Sequence, residues 1–350
     1  MTMLLAADIG ATNARFALFA AQSADPDAPL LALVREQWLK GAEYATFSQA
    51  LAALRRPGDG AEPLLADGEE MIPEAAVIAP AGPILGPEGF ETCRISNLPW
   101  LVRADEVRQA LGIKRVSLIN DFVAQGYACL MPEAIDAVLV LPGAPAPGAP
   151  VAVVGAGTGF GKALVLPAKM SGDQSQSPAS RLTRLARLSG ARVLPSEGGH
   201  AEVPFSGKRE CAFAEFASRR VPGGRLIGDA VLSGSGLALL VAFITGKELP
   251  PHEASAEALK HPEVLDLFAR FYARVCRSFV LDTLALGGVY VTGGMALRLP
   301  VLERPAFAGE FYLSAAQREL LSRVPLFHVR KAQAGLFGAA LAALLSLGED

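Results

Sequence analysis

Two stretches of this chain share one plan. Leu4–Phe19 reads LLAADIGATNARFALF and Val151–Leu166 reads VAVVGAGTGFGKALVL. Each is a short apolar run, a Gly/Thr turn and a second apolar run, which is the pattern of a β-hairpin. A supersecondary unit that occurs twice constrains the whole fold. It predicts a duplicated architecture, two similar halves facing each other across a cleft. The echo is of pattern and not of residues. The first turn also carries chemistry. Gly10 lets the backbone approach a ligand closely. Successive N–H groups, with the Thr12 hydroxyl, make a concave donor surface for anionic oxygens. Asp8 adds a carboxylate at the strand end, placed to hold a hydrated Mg2+ beside those oxygens. The stretch reads as a phosphate-holding hairpin or as an ordinary edge hairpin with a small-residue turn.

The second turn, GAGTGFGK, fails two familiar phosphate motifs. A P-loop needs Gly at position 156 and Ser or Thr after Lys162, where the chain has Ala156 and Ala163. A GxGxxG fingerprint ends on Phe160 when started at Gly155 and on Lys162 when started at Gly157. A phosphate-facing hairpin with Gly157, Thr158 and Gly159 at its tip survives, beside a purely structural glycine turn.

Length and composition narrow the class. At 350 residues, two domains or one large one are expected. Half the chain is hydrophobic, enough for a sizeable core. A net charge of −3 with interspersed signs gives no footprint for nucleic acid or an anionic membrane. Cys93, Cys129, Cys211 and Cys276 lie far apart with no CxxC, so buried free thiols in a reducing cytosol are expected. The N-terminus lacks a basic region, and Asp8 breaks its first apolar run, so no signal peptide is expected. The apolar segments Leu237–Ile244 and Leu336–Leu347 are too short to span a membrane and read as buried helices.

Between these landmarks the spacing predicts strands at Leu31–Leu39, Ala75–Ala79, Val116–Ile119 and Val289–Thr292. Helices are predicted at Phe47–Leu54, Asp105–Leu111 with Gly112 as its stop, Phe122–Leu130, Glu210–Arg220, Leu237–Ile244, Pro262 to about Leu286, and Gly335–Leu347. Gly143–Pro150 (GAPAPGAP) reads as a connector between lobes. Lys169–Ser180 reads as a mobile surface loop. Asn120-Asp121 ends a strand, where α/β proteins place chemistry. The pair can grip adjacent hydroxyls with Asp121 taking a proton, or it can cap the following helix. Glu197-Gly198-Gly199-His200 sets an acceptor and a switchable donor/acceptor in one turn, which suits a sugar, or is a plain surface turn. His252, His261 and His328 lack metal-ligand spacing and read as bystanders, so no protein-built metal site is expected.

Taken together, the chain resembles the bacterial glucokinase family of the actin-like ATPase (ribonuclease H-like) superfold. The matching stretches are Asp8–Arg15, Ile119–Phe122, Gly155–Gly159, Glu197–His200, Val231–Gly234 and Gly287–Gly294, in the family's order and across almost the whole chain. The resemblance implies an α/β fold of two lobes with duplicated mixed sheets and a central cleft. The small lobe would comprise 1–131 plus 332–350 and the large lobe 132–331. It implies that ATP binds at Ala7, Asp8, Ile9, Gly10, Ala11, Thr12, Asn13, Gly157, Thr158 and Gly159, with Gly293 and Gly294 by the adenosine. Mg2+ would be held at Asp8 through water. Asn120, Asp121, Glu197, His200 and Asp229 would bind the hexose, with Asp121 as base toward its 6-hydroxyl. The implied protein is a cytoplasmic glycolytic enzyme and a homodimer, with ATP, ADP or polyphosphate open as donor. Two departures stand out: Asp229 occupies a place where the family has Glu, and Ser196 one where it has Gly. The loop Lys169–Arg192 is longer than the family's. Asp229 leaves room for a kinase of another hexose or an amino sugar. A non-catalytic sugar sensor is the alternative outside enzymes. Against it stand Asp121 and a first hairpin that begins within a few residues of Met1, where a DNA-binding module would be expected. No Cys-rich zinc motif follows His200, which separates the chain from the related sugar-kinase and repressor branch.

Overall fold

The computed structural model describes residues 2–10, 12–21, 29–57, 62–65, 72–95, 98–168 and 188–348. Strands follow in chain order as β1 Thr2–Ile9, β2 Asn13–Ala21, β3 Leu31–Lys40, β4 Ala75–Pro80, β5 Thr92–Arg94, β6 Leu101–Arg103, β7 Arg115–Leu118, β8 Ala137–Leu141, β9 Val151–Ala156, β10 Phe160–Leu166, β11 Arg192–Ser196, β12 Gly288–Thr292 and β13 Leu326–Val329. The helices are α1 Phe47–Ala53, α2 Ala104–Leu111, α3 Asp121–Ala128, α4 Gly207–Ser218, α5 Gly228–Val231, α6 Gly234–Thr245, α7 Pro251–Ala258, α8 Pro262–Thr283, α9 Gly294–Arg298, α10 Pro305–Phe311, α11 Arg318–Ser322 and α12 Ala334–Ser346. The expected strands and helices are all present. The mobile loop expected at Lys169–Ser180 lies outside the described residues, as does Ala11.

Two compact units emerge. The first is made by the described residues of Met1–Ile135, Ala168–Val193 and Gln333–Asp350, the second by those of Asp136–Pro167 and Leu194–Ala332. Gly143–Pro150 therefore joins β8 to β9 inside the second unit and does not link the units. Proline and glycine run equally well through a surface connection within one domain, and composition alone does not separate the two cases.

In the first unit the sheet order is β3-β2-β1-β4-β7. β1 and β2 are antiparallel with Ile9 opposite Ala14, while β1, β4 and β7 run parallel. Leu4, Leu5, Ala6 and Ala7 of β1 are all buried, as in a central strand covered on both faces. The C-terminal α12 returns to this unit and packs on the sheet, with Phe337 edge-on to Phe19 at 4.9 Å. Gly338 lets α12 approach α3. A Cβ there would sit 2.7 Å from the Ala124 carbonyl carbon and from the Ala128 nitrogen, and closer still to the Ala124 oxygen.

The second sheet runs β11-β10-β9-β12-β13-β8. β9 and β10 are antiparallel, and β9, β12 and β13 are parallel. Counted from each hairpin, both sheets have the strand order 3-2-1-4-5, and β8 adds an antiparallel edge to the second. The pattern echo in the sequence thus extends to whole sheets. Helix α8 forms the spine of this unit's core through Val264, Phe268, Phe271, Tyr272, Val275 and Phe279. It stops at Thr283, short of Leu286, because Leu284 adopts the left-handed region at φ 48° and ends the hydrogen-bond ladder.

That core also encloses charge. Arg274 donates from Nε to Glu310 at 2.9 Å and from Nη1 to Glu210 at 2.6 Å and the Pro204 carbonyl at 2.8 Å. Burial raises the Glu310 pKa, but Arg274 and Arg277 beside it bring the net shift below the usual carboxylate value. Of the cysteines, Cys93, Cys129 and Cys276 are buried free thiols as expected. Cys211 departs from expectation, being exposed on α4, where it falls off the buried stripe of Glu210, Phe213 and Ala217.

Candidate active site

Open α/β sheets bind ligands beyond the carboxyl ends of their parallel strands. In the first unit these ends are Ile9, Pro80 and Leu118, so Asp8, Gly82 and Asn120 come to one sheet edge. The turn after β1 is closed by the Gly10 N–H donating to the Asn13 carbonyl at 3.0 Å, and Gly41 N–H donates to the Thr12 carbonyl at 2.9 Å. Thr12 and Asn13 are exposed at the tip. Ala7 and Ile9 are buried in the sheet, which leaves their backbone for any ligand contact. Burial pushes the Asp8 carboxyl above its usual pKa, with Arg15 opposing. A cation beside it would favour the ionised form. Sequence reasoning missed what lies under this carboxylate. A Cβ on Gly335 would fall 2.9 Å from Asp8 Oδ2 and 3.0 Å from Gln125 Nε2. The available signal was a glycine in the first turn of an Ala/Leu-rich helix.

Of the two roles weighed for Asn120 and Asp121, the structure shows the helix cap. Asn120 caps α3, its Oδ1 accepting from Phe122 N–H at 2.9 Å, and its Nδ2 donates to the Gly82 carbonyl at 3.2 Å. Asp121 is the first helical residue, half-buried, and its Oδ1 also accepts from Phe122 N–H at 3.0 Å. The cap thus falls mainly to Asn120.

In the second unit β9 and β12 are parallel neighbours with Thr292 beside Gly155. Their ends present Gly157–Gly159 and Gly293-Gly294 together. Gly293, at φ 92°, packs so tightly that a Cβ would lie 2.5 Å from the Ala156 carbonyl oxygen. Gly294 opens α9. Within the hairpin tip, Gly157 N–H donates to the Gly159 carbonyl at 2.8 Å, and Gly234 N–H donates to the Gly157 carbonyl at 3.1 Å. The VLSG stretch thus ties down the hairpin from the start of α6. Beneath it Tyr272 packs edge-on to Phe160 at 5.9 Å and donates to the Thr292 carbonyl at 3.4 Å. Thr158 and Gly159 are exposed, and their N–H groups take no partner among the described residues. They are free to meet an anion.

Glu197 and His200 bracket a 3-10 turn, Gly198–His200, and both side chains are exposed with Glu197 Oε2 4.0 Å from His200 Nε2. Ser196 is accommodated because its hydroxyl accepts from Gly198 N–H at 3.1 Å. Lys162 lies buried below, its stem so close that a Cβ on Gly198 would fall 2.7 Å from Lys162 Cδ. Burial pushes that ammonium below its usual pKa, with Cys276 and Asp282 opposing. Asp229 sits on α5, and its Oδ1 accepts from Phe160 N–H at 2.6 Å.

The glucokinase family model matches residues 5–346. A glucokinase of Synechocystis is 28% identical over 376 residues, covering 98% of each chain. Among solved structures, a glucokinase from an Antarctic psychrotroph superposes with a TM-score of 0.75 at 24% identity, over 98% of this chain and 99% of that one. A glucokinase from Balamuthia mandrillaris in complex with glucose gives 0.72 at 20% identity, over 98% and 94%. The fold shared with these structures is the actin-like ATPase fold.

Proposed function

The chain belongs to the glucokinase family, and from that premise we propose that it transfers the γ-phosphoryl group of MgATP to the 6-hydroxyl of glucose. The observation that carries this reading is the first sheet's edge, where the hairpin bearing Asp8 and the strand end leading to Asn120 and Asp121 flank the end of β4 on the same side of the sheet.

Phosphoryl transfer asks for in-line positioning and for neutralised charge more than for covalent chemistry. Asp121 would orient the sugar hydroxyl and accept its proton as the new bond forms. Its attachment to the first turn of α3 restricts where its carboxylate can point, and holding a reacting group in place is itself a large rate term. The N–H groups of Thr158 and Gly159, with the Asp8 hairpin, would hold phosphate oxygens. Mg2+, held through water at Asp8, would supply charge neutralisation on those oxygens. Glu197, His200 and the remaining Asn120 surface would take the hexose hydroxyls, each of which both donates and accepts. We assign the reaction to the cytoplasm and the working species to a homodimer, from the family resemblance.

A second reading is favoured by one observation. The Asp229 carboxylate, expected on the sugar, is engaged by Phe160 N–H, so another hexose or an amino sugar stays in contention. The test is ADP release with MgATP across glucose, mannose, fructose, glucosamine and N-acetylmannosamine. The glucose reading requires glucose to have the highest kcat/KM, by about tenfold, the discrimination one well-made polar contact supplies. A different leading sugar keeps the kinase and rejects glucose as its substrate. Turnover of no sugar with ATP, ADP or polyphosphate would leave the non-catalytic sensor.

A further inference from the structure

We infer that Asp229 is a positioning residue for the second phosphate hairpin rather than a ligand of the sugar. It takes this role only if Gly157–Gly159 holds nucleotide phosphate, as proposed above. Its Oδ1 accepts from the N–H of Phe160, the first residue after the hairpin tip, at 2.6 Å. Phe160 is buried and paired with Ala156 across the base of the hairpin. A short bond from a backbone N–H to a carboxylate is charge-assisted and stronger than a neutral one. It fixes the β10 side of the tip, as Gly234 N–H fixes the β9 side through the Gly157 carbonyl. Between these two restraints lie the N–H groups of Thr158 and Gly159, which are left to face an anion.

The surroundings fit a carboxylate of this length. A Cβ at Gly159 would lie 3.3 Å from Asp229 Oδ1, and one at Gly199 would lie 2.9 Å from it. Gly199 also presses against the Phe160 carbonyl, and a Cβ at Gly228 would lie 2.8 Å from the Phe160 ring and 2.9 Å from the Gly199 carbonyl oxygen. Two glycines therefore enclose the carboxylate where it meets the hairpin. A glutamate would carry its carboxylate farther by about 1.5 Å, one C–C bond. It would then either push into Gly159 and Gly199 or swing off the Phe160 amide. Aspartate here exchanges a longer reach for a fixed hairpin. The same contact joins α5, the Gly198–His200 turn and the hairpin into one packed group.

The test is steady-state kinetics of Asp229→Ala, Asp229→Asn and Asp229→Glu, together with amide hydrogen exchange at Phe160. Asn keeps an acceptor oxygen at the same place, Ala removes it and Glu overshoots. The expected result is a KM for MgATP raised about tenfold or more in the Ala and Glu variants and within about threefold in Asn, the range a charge-assisted bond covers. The KM for glucose should stay within about threefold in all three, since only the nucleotide side is disturbed. Phe160 amide exchange should quicken in the Ala variant and remain slow in Asn. A KM for glucose that rises with the KM for MgATP unchanged would overturn the inference and return Asp229 to the sugar. Unchanged Phe160 exchange in the Ala variant would overturn it as well. If the unaltered enzyme turns over no sugar, the kinase reading fails separately, while the exchange measurement still decides whether Asp229 holds the hairpin.

Discussion

Replacing Gly338 by alanine should weaken the first unit, although alanine is the better helix former. The two effects can be weighed. In an exposed helix interior the exchange gains about 1 kcal/mol. At Gly338, however, the new Cβ would stand 2.7 Å from the Ala124 carbonyl carbon and the Ala128 nitrogen. Non-bonded carbon atoms rest at about 3.5–4.0 Å and the Ala124 oxygen is nearer still, so α12 and α3 must part by more than about 1 Å. Both neighbours are backbone atoms of a regular helix and cannot rotate aside, which puts the cost near the upper end of overpacking, about 3 kcal/mol. The net expectation is a loss of about 2 kcal/mol. The assay is urea unfolding followed by tryptophan fluorescence. The chain has two tryptophans, Trp38 and Trp100, both in the first unit, so the signal reports on that unit alone. With a slope of about 2 kcal/mol per molar urea, the midpoint should fall by about 1 M. A midpoint equal to or above that of the unaltered protein would refute the reasoning. Gly335→Ala on the same helix supplies the contrast. There the Cβ meets the ends of two side chains, Asp8 Oδ2 and Gln125 Nε2, which can swing away. Its midpoint should stay within about 0.3 M of the parent, an effect of about 0.5 kcal/mol, well inside the range of mild substitutions. Because Asp8 must move, kcat/KM should fall by about tenfold or more, as expected for small misplacements in a transfer site.

Three further outcomes follow from the same geometry. Asp121→Ala should lower kcat by about 10²–10⁴-fold with glucose affinity kept within about tenfold, measured by steady-state rates and sugar titration, and near-normal turnover would remove Asp121 as the base. Arg274→Ala strands Glu210 in the core, while Glu310 keeps Arg277, and should lower second-unit stability by about 3 kcal/mol in calorimetry, where a change under about 1 kcal/mol would show that the cluster is not tightly coupled. His328 is buried with neither ring nitrogen bonded among the described residues, and burial, joined by Arg330 and opposed by Glu303 and Asp136, holds its pKa below the usual histidine value. The unfolded chain then takes up a proton near pH 6.5 that the folded state refuses, so this group's contribution falls as pH drops through that value. Melting curves from pH 8 to pH 5 should show His328→Leu gaining on the parent protein as pH falls, and parallel curves would contradict the assignment.

What the sequence made legible was whatever repeats or alternates. The hairpins, the parallel strands ending at Ile9, Leu118 and Thr292, and α8 all announce themselves through apolar spacing, which backbone geometry enforces locally. Strands β8 and β13 are short, and the pairing of β13 with β12 and of β8 with β13 is decided by contacts far away in sequence. The site divides the same way. Asp8, Asn120, Asp121 and the glycines of both hairpins stand out in the sequence as candidates, because polar residues at strand ends cluster there. What holds them was not legible. Gly335 beneath Asp8 lies more than three hundred positions from it. Phe160 N–H, the donor to Asp229, is a backbone group that every residue but proline carries, so no residue type could mark it.

That division bears on Asp229 most directly. A resemblance transfers a role by position, and by position this acid belongs to the sugar. The structure supplies what position cannot, namely which group the carboxylate reaches. With one methylene fewer than glutamate it ends on Phe160 N–H, between Gly159 and Gly199, and a carboxylate oxygen that already accepts a 2.6 Å bond has less left to offer a hydroxyl. On the proposal made above, the exposed pair Glu197 and His200 carries sugar contacts in the second unit, while the acid on α5 holds the phosphate hairpin. Substitution at Glu197 should then move the KM for sugar and leave the KM for MgATP, the reverse of the pattern expected at Asp229. The two residues together separate sugar recognition from nucleotide positioning by experiment.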